Sequence, residues 1–337
     1  PIWLVQGDVG SGKTMVAAAA CFCAIQNDHQ AAFMAPTEIL AEQHAQSLKK
    51  LFSPLGISVV LMTGSLTATQ KRQHKAEIAD GSAQLIVGTH ALITQDVAFH
   101  DLALVVCDEQ HRFGVAQRAA LSAKGQTPHL LVMSATPIPR TLALIAYGDL
   151  DVSVIGELPP GRLPVDTFLI GEDKRQRLNA FIDKQCQAHH QVYIVCPTVE
   201  ESDLDSLKSA ESFAQTLRQV VFPHRRVGLL HGKMKQADKD AALGAFSRGE
   251  TDILVATTVV EVGVDVPNAT LMVIENADRF GLSQLHQLRG RVGRGSAQSY
   301  CVLVSGNRNE QTRKRLKALC ATTDGFKIAE EDLALRG

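Results

Sequence analysis

The first residues of the chain that could do chemistry lie in one glycine-rich segment. Gly7-Asp8-Val9-Gly10-Ser11-Gly12-Lys13-Thr14 fits the spacing G-x-x-x-x-G-K-[ST], after an apolar segment at residues 2–5 and before a helical pattern that begins near Thr14. Glycines let backbone N–H groups turn towards phosphate oxygens, and the amino end of a helix adds partial positive charge. Lys13 could reach the β and γ phosphates, and the Thr14 hydroxyl could hold Mg²⁺. The segment predicts a nucleotide phosphate site that uses all eight residues, with a chance glycine-rich turn as the alternative.

Two carboxylates follow a second apolar segment. Residues 102–107 run directly into Asp108 and Glu109. A buried parallel strand that ends in carboxylates places them at the carboxyl edge of its sheet, where open α/β sheets bind ligands. Asp108 would hold Mg²⁺ through its water shell, and Glu109 would orient and deprotonate an attacking water. Two solvated carboxylates at a strand end are the alternative, which the nearby phosphate loop disfavours.

A pair of arginines in the second half of the chain could bind phosphate. Arg291 and Arg294 are three residues apart, so they share one face of a helix or turn. Arginine binds phosphate oxygens through two parallel hydrogen bonds and keeps its charge near neutral pH. Placed across a cleft from Lys13, the pair would stabilise the charge of phosphoryl transfer, with Gln287 near the same phosphates. Loss of the γ-phosphate would let the cleft open. Such a nucleotide-controlled hinge could drive stepping along a nucleic-acid strand. An exposed basic turn is the alternative.

A further segment of the second half, residues 256–265, follows an apolar stretch. Gly263 would permit close backbone approach, and Asp265 could cap a helix or reach the nucleotide through water. The Thr257 hydroxyl could donate to a nucleic-acid phosphate. A strand followed by a capped turn explains the same residues equally well without this context.

The elements that must position these residues follow a regular rhythm. Short apolar segments alternate with amphipathic helical patterns such as residues 39–51, which predicts an α/β fold with parallel sheets and right-handed crossovers. Pro and Gly at residues 158–162 interrupt the rhythm, which then restarts. Beyond the segment of residues 2–5, predicted strands lie at 31–35, 59–62, 84–87, 103–107, 130–133, 192–196, 227–230, 253–256, 271–274 and 300–304. We therefore expect domains at 1–157 and 158–305, followed at 306–337 by a short helical segment with helices at 310–320 and 329–335.

Composition sets limits on the function. The 337 residues exceed one usual core, and the content of 45% hydrophobic and 20% charged residues is typical of a soluble globular protein. The net charge of −1 gives no support to nucleic-acid binding, so any such site must be a local patch. The apolar run at residues 15–25 is shorter than the roughly 20 residues that span a bilayer. The seven cysteines lack metal-site spacing, and we expect buried thiols in a reducing compartment.

These segments, in this order, resemble the superfamily 2 helicases over essentially the whole chain, and the RecG family among them in particular. The resemblance to RecG rests on several segments besides the phosphate loop. They are 35–38, 41–44, 88–93, 108–115, 135–142, 147–151, 157–162, 231–235, 275–277, 324–326 and 332–337.

The resemblance implies two tandem RecA-like P-loop domains and an ATP-dependent DNA helicase or translocase that uses Mg²⁺. It implies action on branched double-stranded DNA, such as stalled replication forks and Holliday junctions, in recombination and repair. His111 would then sense the γ-phosphate. By the family pattern, DNA phosphates would contact Pro36, Thr37, Thr63, Gly64, Thr89, His90 and Thr257. In that family a junction wedge and an adenine-reading segment precede the motor, so we expect this chain to be part of a longer protein.

The resemblance also implies a cellular setting. We expect a monomer in the bacterial cytoplasm, associated with the nucleoid, with single-stranded DNA-binding protein as a possible partner and no membrane association. The motor of a transcription-repair coupling factor shares most motifs, but Gln110 and the segment Pro159-Pro160-Gly161-Arg162 argue against it. A nucleotide-gated DNA-binding module without hydrolysis is the alternative of another class, and Glu109 with both arginines argues against a dead site. A small-molecule P-loop kinase would not need the second half.

Overall fold

The computed structural model divides the chain into two compact units, Pro1–Leu158 and Pro159–Gly337. The structure describes residues 2–7, 10–89, 92, 96–108, 128–134, 151–156, 163–197, 204–257, 266–325 and 327–328. The domain boundaries expected at 157/158 and 305/306 stay predictions. The helix predicted at residues 329–335 lies outside the described residues.

The first unit is built on a seven-stranded sheet. Its strands are β1 (Ile2–Gly7), β2 (Gln30–Met34), β3 (Val59–Met62), β4 (Leu85–Gly88), β5 (Leu102–Cys107), β6 (His129–Ser134) and β7 (Asp151–Ile155). Their order in the sheet is β3-β4-β2-β5-β6-β1-β7, and every neighbouring pair is parallel. All residues of β2 and β4 are buried, as expected of parallel strands that are covered on both faces. The predicted parallel α/β architecture is confirmed for this unit.

Three helices of the first unit begin close to the carboxyl ends of strands. They are α1 (Lys13–Gln26), α2 (Glu38–Phe52) and α3 (Ala68–Ala79). The side chain of Thr37 caps α2 by accepting from the Leu40 N–H at 3.4 Å, and Thr67 with Gln70 forms a capping box at the start of α3. The helices bury one face each, and Ile78 of α3 packs in a cluster with strand residues such as Met34 and Ile86.

The second unit repeats the architecture with six strands. They are β8 (Asp166–Ile170), β9 (Gln191–Val195), β10 (Val227–Leu230), β11 (Ile253–Ala256), β12 (Ala269–Ile274) and β13 (Tyr300–Val304), in the order β10-β11-β9-β12-β13-β8. All paired neighbours are parallel. Within the described part of this unit, the helices are α4 (Arg175–Gln187), α5 (Leu204–Thr216), α6 (Gln236–Ser247), α7 (Leu282–Arg289) and α8 (Glu310–Ala321). Within the described ranges, no helix has the length and apolarity needed to cross a membrane.

A buried glutamine at the start of a strand makes the same kind of hydrogen bonds in both units, although the two units show no evident sequence repeat. Gln30, the first residue of β2, donates its buried amide to the carbonyl oxygens of Ile78 and Ala83 at 2.9 and 2.7 Å. Gln191, the first residue of β9, donates in the same way to Phe246 and Thr251 at 2.6 and 2.8 Å. In each unit a glutamine therefore ties the start of a buried strand to the end of a helix and the loop that follows it.

The sequence predicts that all seven cysteines are buried thiols, which is confirmed for four of them and is wrong for Cys23. Cys21, Cys107, Cys186 and Cys301 are buried, Cys196 and Cys320 are half-buried, and all seven are free of disulfides. Burial raises the pKa of the Cys21 thiol to about 12 and that of Cys301 to about 12. Cys23, on the outer face of α1, is exposed.

Candidate functional site

The glycine-rich loop between β1 and α1 has the backbone shape that a phosphate site requires. Gly10 and Gly12 adopt φ angles of 77° and 93°, in the left-handed region where glycine has no steric cost. α1 then begins at Lys13, and the Gly12 carbonyl oxygen accepts from the Met15 N–H at 2.9 Å. The amino end of a 14-residue helix therefore directs its partial positive charge at the loop. Asp8 and Val9 lie outside the described residues.

Ser11 supplies an unsatisfied polar group at the centre of this loop. Its side chain is only 8% exposed, and among the described residues its hydroxyl has no hydrogen-bond partner. A Cβ atom added to Gly7 would lie 2.3 Å from this hydroxyl oxygen, so the loop has no room for a larger residue at Gly7. A buried hydroxyl normally has a partner, and a phosphate oxygen would provide one.

Lys13 folds back over the loop. Its ammonium Nζ donates to the carbonyl oxygen of Gly7 at 2.7 Å, a partly buried bond that joins the start of α1 to the end of β1. The positive charge is therefore held inside the loop and does not extend into solvent. This placement fits a group that neutralises phosphate charge.

Oxygen donors suitable for Mg²⁺ stand at the same edge of the sheet. Thr14 is half-buried on the first turn of α1, and Asp108 follows β5 directly. In the part of the chain that the structure describes, no group of three or more His, Cys, Asp or Glu residues could hold a metal alone. Mg²⁺ is usually held by one or two protein oxygens with water and substrate phosphates completing the shell, so this donor set fits it. Glu109 and His111 lie outside the described residues.

The Asp108 carboxylate has a partner that sequence reasoning did not assign. His44 Nε2, on α2, lies 2.9 Å from Asp108 Oδ2, and the two side chains are 13% and 16% exposed. The backbone N–H of Asp108 also donates to the Met34 carbonyl oxygen at 2.9 Å, which continues the β2–β5 pairing beyond the strand. The sequence marks His44 only as the last residue of segment 41–44, one of the segments that resemble RecG, and does not indicate that it meets Asp108.

Residues expected to contact DNA follow β2, β3 and β4 at the carboxyl edge of the first sheet. Pro36 and Thr37 follow β2, and Thr37 is the cap of α2. Thr89 follows β4 directly, and its carbonyl oxygen accepts from the Leu92 N–H at 3.1 Å. His90 lies outside the described residues. The structure thus brings these candidates to one side of the sheet edge, and their contact with DNA stays a prediction.

The loop after β3 is more enclosed than the sequence suggested. Thr63 is buried, and its hydroxyl bonds to the Ser65 hydroxyl at 3.0 Å. Glu38 accepts from the Ser65 N–H at 3.2 Å, and the Gly64 carbonyl oxygen accepts from Lys71 at 2.6 Å. The exposed backbone at Gly64 is therefore better suited to meet a phosphate than the Thr63 hydroxyl.

The arginine pair of the second unit follows α7. Arg291 is buried, and its backbone N–H donates to the Leu288 carbonyl oxygen at 3.0 Å. Arg294 is half-buried, and its Nε donates to the Gly290 carbonyl oxygen at 3.3 Å. Gln287 is half-buried on α7 itself. The three residues belong to one helix and the turn after it, and their reach to a triphosphate stays a prediction.

Arg289, next to the arginine pair, has a structural role that the sequence does not predict. Arg289 is 4% exposed, and its Nη1 donates to the carbonyl oxygens of Leu319 and Thr322, each at 2.8 Å. Its Nη2 lies 2.9 Å from Nδ1 of His286, one turn earlier on α7. Arg289 therefore anchors the end of α8 to the helix that carries Gln287.

Two other features lie at the carboxyl edge of the second sheet. Thr257, after β11, is buried, and its backbone N–H donates to the Leu230 carbonyl oxygen at 3.1 Å. Glu275, after β12, accepts two bonds from Arg175 at 2.5 and 2.7 Å, and this pairing raises the pKa of the Arg175 guanidinium. Burial raises the pKa of the adjacent Cys196 thiol to about 12. Gly263 and Asp265 lie outside the described residues.

Two family models match the chain in tandem. The model described as DEAD/DEAH box helicase matches residues 3–145, and the model described as helicase conserved C-terminal domain matches residues 173–296. Together they cover the phosphate loop, Asp108 and the arginine pair.

Curated relatives match nearly the whole chain. Proteins named ATP-dependent DNA helicase RecG are 56% identical in Synechocystis sp., 51% in Bacillus subtilis and 52% in Escherichia coli, each over 99% of this chain. The chain spans 40%, 49% and 49% of those proteins, which is half or less of their length.

Solved structures agree in fold. A structure of RecG bound to a three-way DNA junction superposes with a TM-score of 0.86 at 47% identity, over 98% of this chain and 43% of that one. Dbp5 of S. cerevisiae, bound to RNA and ADP BeF3, gives a TM-score of 0.70 over 100% of this chain and 89% of that one. At 18% identity the second likeness concerns the fold alone.

Proposed function

Because the chain belongs to the RecG family of superfamily 2 helicases, we propose that it is the ATP-driven motor of a DNA translocase that acts on branched DNA. The single observation that carries this proposal is the phosphate loop. Its left-handed glycines, its unsatisfied Ser11 hydroxyl and its inward Lys13 ammonium together form a cradle for phosphate. Three-way junction DNA bound to the related RecG structure supports a branched substrate.

The first unit is proposed to bind the nucleotide and prepare hydrolysis. Backbone N–H groups of residues 7–14 surround the phosphates, and Lys13 neutralises the β and γ oxygens. Thr14 and Asp108 would hold Mg²⁺, which would stabilise negative charge on the phosphate oxygens. Glu109 accepts a proton from the attacking water, and His111 responds to the γ-phosphate.

The second unit is proposed to stabilise the transition state. Arg291 and Arg294 donate to the oxygens that gain negative charge as the γ-phosphoryl group leaves. Gln287, Gly263 and Asp265 contact the nucleotide beside them. Since these contacts depend on the γ-phosphate, hydrolysis weakens them and favours the other conformational state.

DNA is proposed to bind through its phosphates and not through its bases. The contacts are assigned to loops after β2, β3, β4 and β11, at Pro36, Thr37, Thr63, Gly64, Thr89, His90 and Thr257. Apart from Pro36, which has neither a hydroxyl nor a backbone N–H, these residues offer donors that would read no base sequence, so the specificity would be for the shape of the DNA. Branched double-stranded DNA is the proposed substrate, and single-stranded DNA-binding protein is a proposed partner. The protein is proposed to be a monomer in the bacterial cytoplasm, associated with the nucleoid.

The decisive experiment is an ATPase assay of the intact protein on forked, linear duplex and single-stranded DNA. We expect forked DNA to stimulate hydrolysis most. Lys13→Ala should lower the DNA-stimulated rate by at least about a hundredfold, because it removes the charge inside the loop. Lys50→Ala, which removes an exposed lysine at the end of α2, should match the unsubstituted protein. Equal hydrolysis with and without Lys13, or indifference to all three DNAs, would overturn the proposal.

A further inference from the structure

We propose that His44 is a positioning residue for Asp108, and that through it α2 links DNA binding to the Mg²⁺ site. This inference rests on the proposed function, because it takes Asp108 as a magnesium ligand and the start of α2 as a DNA contact. It adds a residue and a physical route by which DNA could stimulate hydrolysis.

The first step is the bond itself. His44 Nε2 and Asp108 Oδ2 are 2.9 Å apart, and both side chains are largely buried. An ionised carboxylate can only accept, so Nε2 is the donor. A donor fixed at one carboxylate oxygen restricts rotation of the Asp108 side chain and sets the direction of its second oxygen. Hydrogen bonds of this kind to metal-binding carboxylates commonly govern metal affinity.

The second step is that both partners are held by β2. The imidazole ring of His44 packs against Phe33 at 4.6 Å between ring centroids, and Phe33 is fully buried. The backbone of Asp108 is bonded to Met34, the residue after Phe33. His44 and Asp108 thus contact two consecutive residues of β2. These contacts limit the movement of one side chain relative to the other.

The third step is the place of this bond in the sheet. The loops assigned to DNA follow β3, β4 and β2, which are neighbours at one side of the sheet. The loops assigned to nucleotide and Mg²⁺ follow β5 and β1, on the other side. β2 and β5 are adjacent, and the bond from His44 to Asp108 crosses between them. It therefore joins the two halves of the carboxyl edge.

The fourth step is the helix that carries His44. α2 begins at Glu38, immediately after its cap Thr37, and His44 follows Thr37 by seven residues. Seven residues are about two helical turns, or roughly 10 Å along the axis. Glu38 on the first turn also holds the loop after β3 through the Ser65 N–H. A phosphate that binds at this end would act on α2 as one body, and the effect would reach the Asp108 carboxylate through its bond to His44.

A second histidine–aspartate pair, at the other end of the β2–β5 pairing, provides a matched control. His29 Nδ1 lies 2.8 Å from Asp101 Oδ2, but this pair precedes β2 and β5 at the opposite edge of the sheet. Its side chains are 43% and 56% exposed. The two pairs have the same chemistry and lie at opposite ends of the β2–β5 pairing, and they differ in burial.

The test compares His44→Phe with His44→Gln in the intact protein. Phenylalanine keeps a ring against Phe33 and loses the donor, whereas glutamine loses the ring and keeps an N–H at a similar reach. His29→Phe is the control. Three quantities are measured: the Mg²⁺ concentration for half-maximal ATP hydrolysis, the Mg²⁺ dependence of affinity for a non-hydrolysable ATP analogue, and the ratio of rates with and without forked DNA.

We expect His44→Phe to raise the Mg²⁺ requirement in both assays by about 10- to 100-fold. Its stimulation by DNA should fall towards a ratio of one. His44→Gln should stay well below that shift, and His29→Phe should match the unsubstituted protein in all three quantities. His44→Leu replaces His44→Phe if circular dichroism shows that the latter does not fold.

Two results would overturn the inference while the proposed function stands. One is an unchanged Mg²⁺ requirement in His44→Phe, which would remove the positioning role. The other is normal DNA stimulation in a variant with a raised Mg²⁺ requirement, which would remove the link through α2. A protein that hydrolyses no ATP in Mg²⁺ before any substitution would overturn the proposed function, and this inference with it.

Discussion

At the residue scale, the phosphate loop depends on backbone angles that few residues can adopt. Gly12 combines a φ of 93° with open space around its Cα hydrogens, so conformation and not crowding restricts the position to glycine. A non-glycine residue in this region costs on the order of 1–3 kcal/mol. The loop therefore holds its shape before any phosphate arrives.

Gly12→Ala should lower both stability and nucleotide affinity. The strain of about 1–3 kcal/mol can be relieved only by a change in the loop, which would misdirect its N–H groups. Gly56→Ala is the matched control, because Gly56 has a φ of 72° and the same open surroundings after α2. Denaturant unfolding should show similar losses in both, and only Gly12→Ala should weaken binding of a fluorescent ATP analogue. Equal affinities would contradict the assignment.

Arg294→Ala should slow turnover while nucleotide affinity changes little. A guanidinium that acts on the transition state contributes about 10³-fold or more to the rate and much less to ground-state binding. Single-turnover hydrolysis and equilibrium binding measure the two effects separately. Arg248→Ala, which removes an exposed arginine paired with Glu250, should behave as the unsubstituted protein. Normal turnover in Arg294→Ala would refute the role.

Local motifs were predictable at this scale, and long-range partners were not. Gly12 and Lys13 reveal their chemistry because their spacing along the chain is the motif. His44 and Asp108 are 64 positions apart, and Arg289 is 30 positions from Leu319, so only the folded chain brings each pair together. The sequence around a buried histidine or arginine contains no periodic pattern that would identify the residue with which it forms a hydrogen bond.

At the element scale, the strands that the sequence predicts are those whose residues form a continuous apolar run. β3, β10, β11 and β13 have the predicted ends, and most other strands differ by one or two residues. β7 and β8 were not predicted. They are the last strands at one edge of each sheet, and their partly exposed residues give no continuous apolar run. Edge position alone does not hide a strand, because β3 and β10 are also edge strands and were predicted. The polar and exposed residues within β7 and β8 remove the apolar run by which a buried parallel strand is recognised.

Gln30→Leu and Gln191→Leu should each destabilise the unit that contains them. The Gln30 side chain satisfies four backbone groups, since its oxygen also accepts from the N–H groups of His100 and Asp101. Leaving such groups buried and unpaired should cost roughly 2–4 kcal/mol, with Gln30→Leu the larger loss. Calorimetry checks this, with Gln46→Leu on the exposed face of α2 as the control. A free energy of unfolding that is unchanged within error would show that water takes over the hydrogen bonds of the glutamine amide.

At the scale of the whole molecule, positive and negative charges are almost balanced. Each unit has its own sheet and core. The net charge of −1 means that the bulk field does not attract DNA. We therefore propose that the affinity for DNA comes from a small number of direct phosphate contacts at the loops named above. This makes the salt dependence of binding a measure of how many contacts form.

DNA binding should weaken with salt in proportion to those contacts. For about four phosphate contacts, a rise from 50 to 200 mM salt should lower affinity roughly a hundredfold. Junctions of equal shape and different base sequence should bind alike, because the proposed donors do not meet base edges. Fluorescence anisotropy over a salt series measures the slope. A slope near zero, or strong sequence preference, would contradict phosphate binding.

Thiol reactivity should single out one residue of the molecule. Burial raises the pKa of the thiols of Cys21, Cys186, Cys196 and Cys301 to about 12, 11, 12 and 12. Near neutral pH these groups stay protonated, and the thiolate is the reactive form. Cys23 is exposed, so a maleimide at pH 7 should modify it first. Mass spectrometry of a brief reaction checks this, with Cys23→Ser as the control that should lose the fast phase.

The exposed thiol on α1 has a practical consequence. Cys23 stands ten residues after Lys13 on one continuous helix, about 15 Å from the phosphate loop along the axis. A donor dye attached there would lie within energy-transfer range of an acceptor carried by a labelled nucleotide. Arrival and departure of single nucleotides could then be followed as bursts of acceptor emission, and the four buried cysteines of this chain need not be replaced.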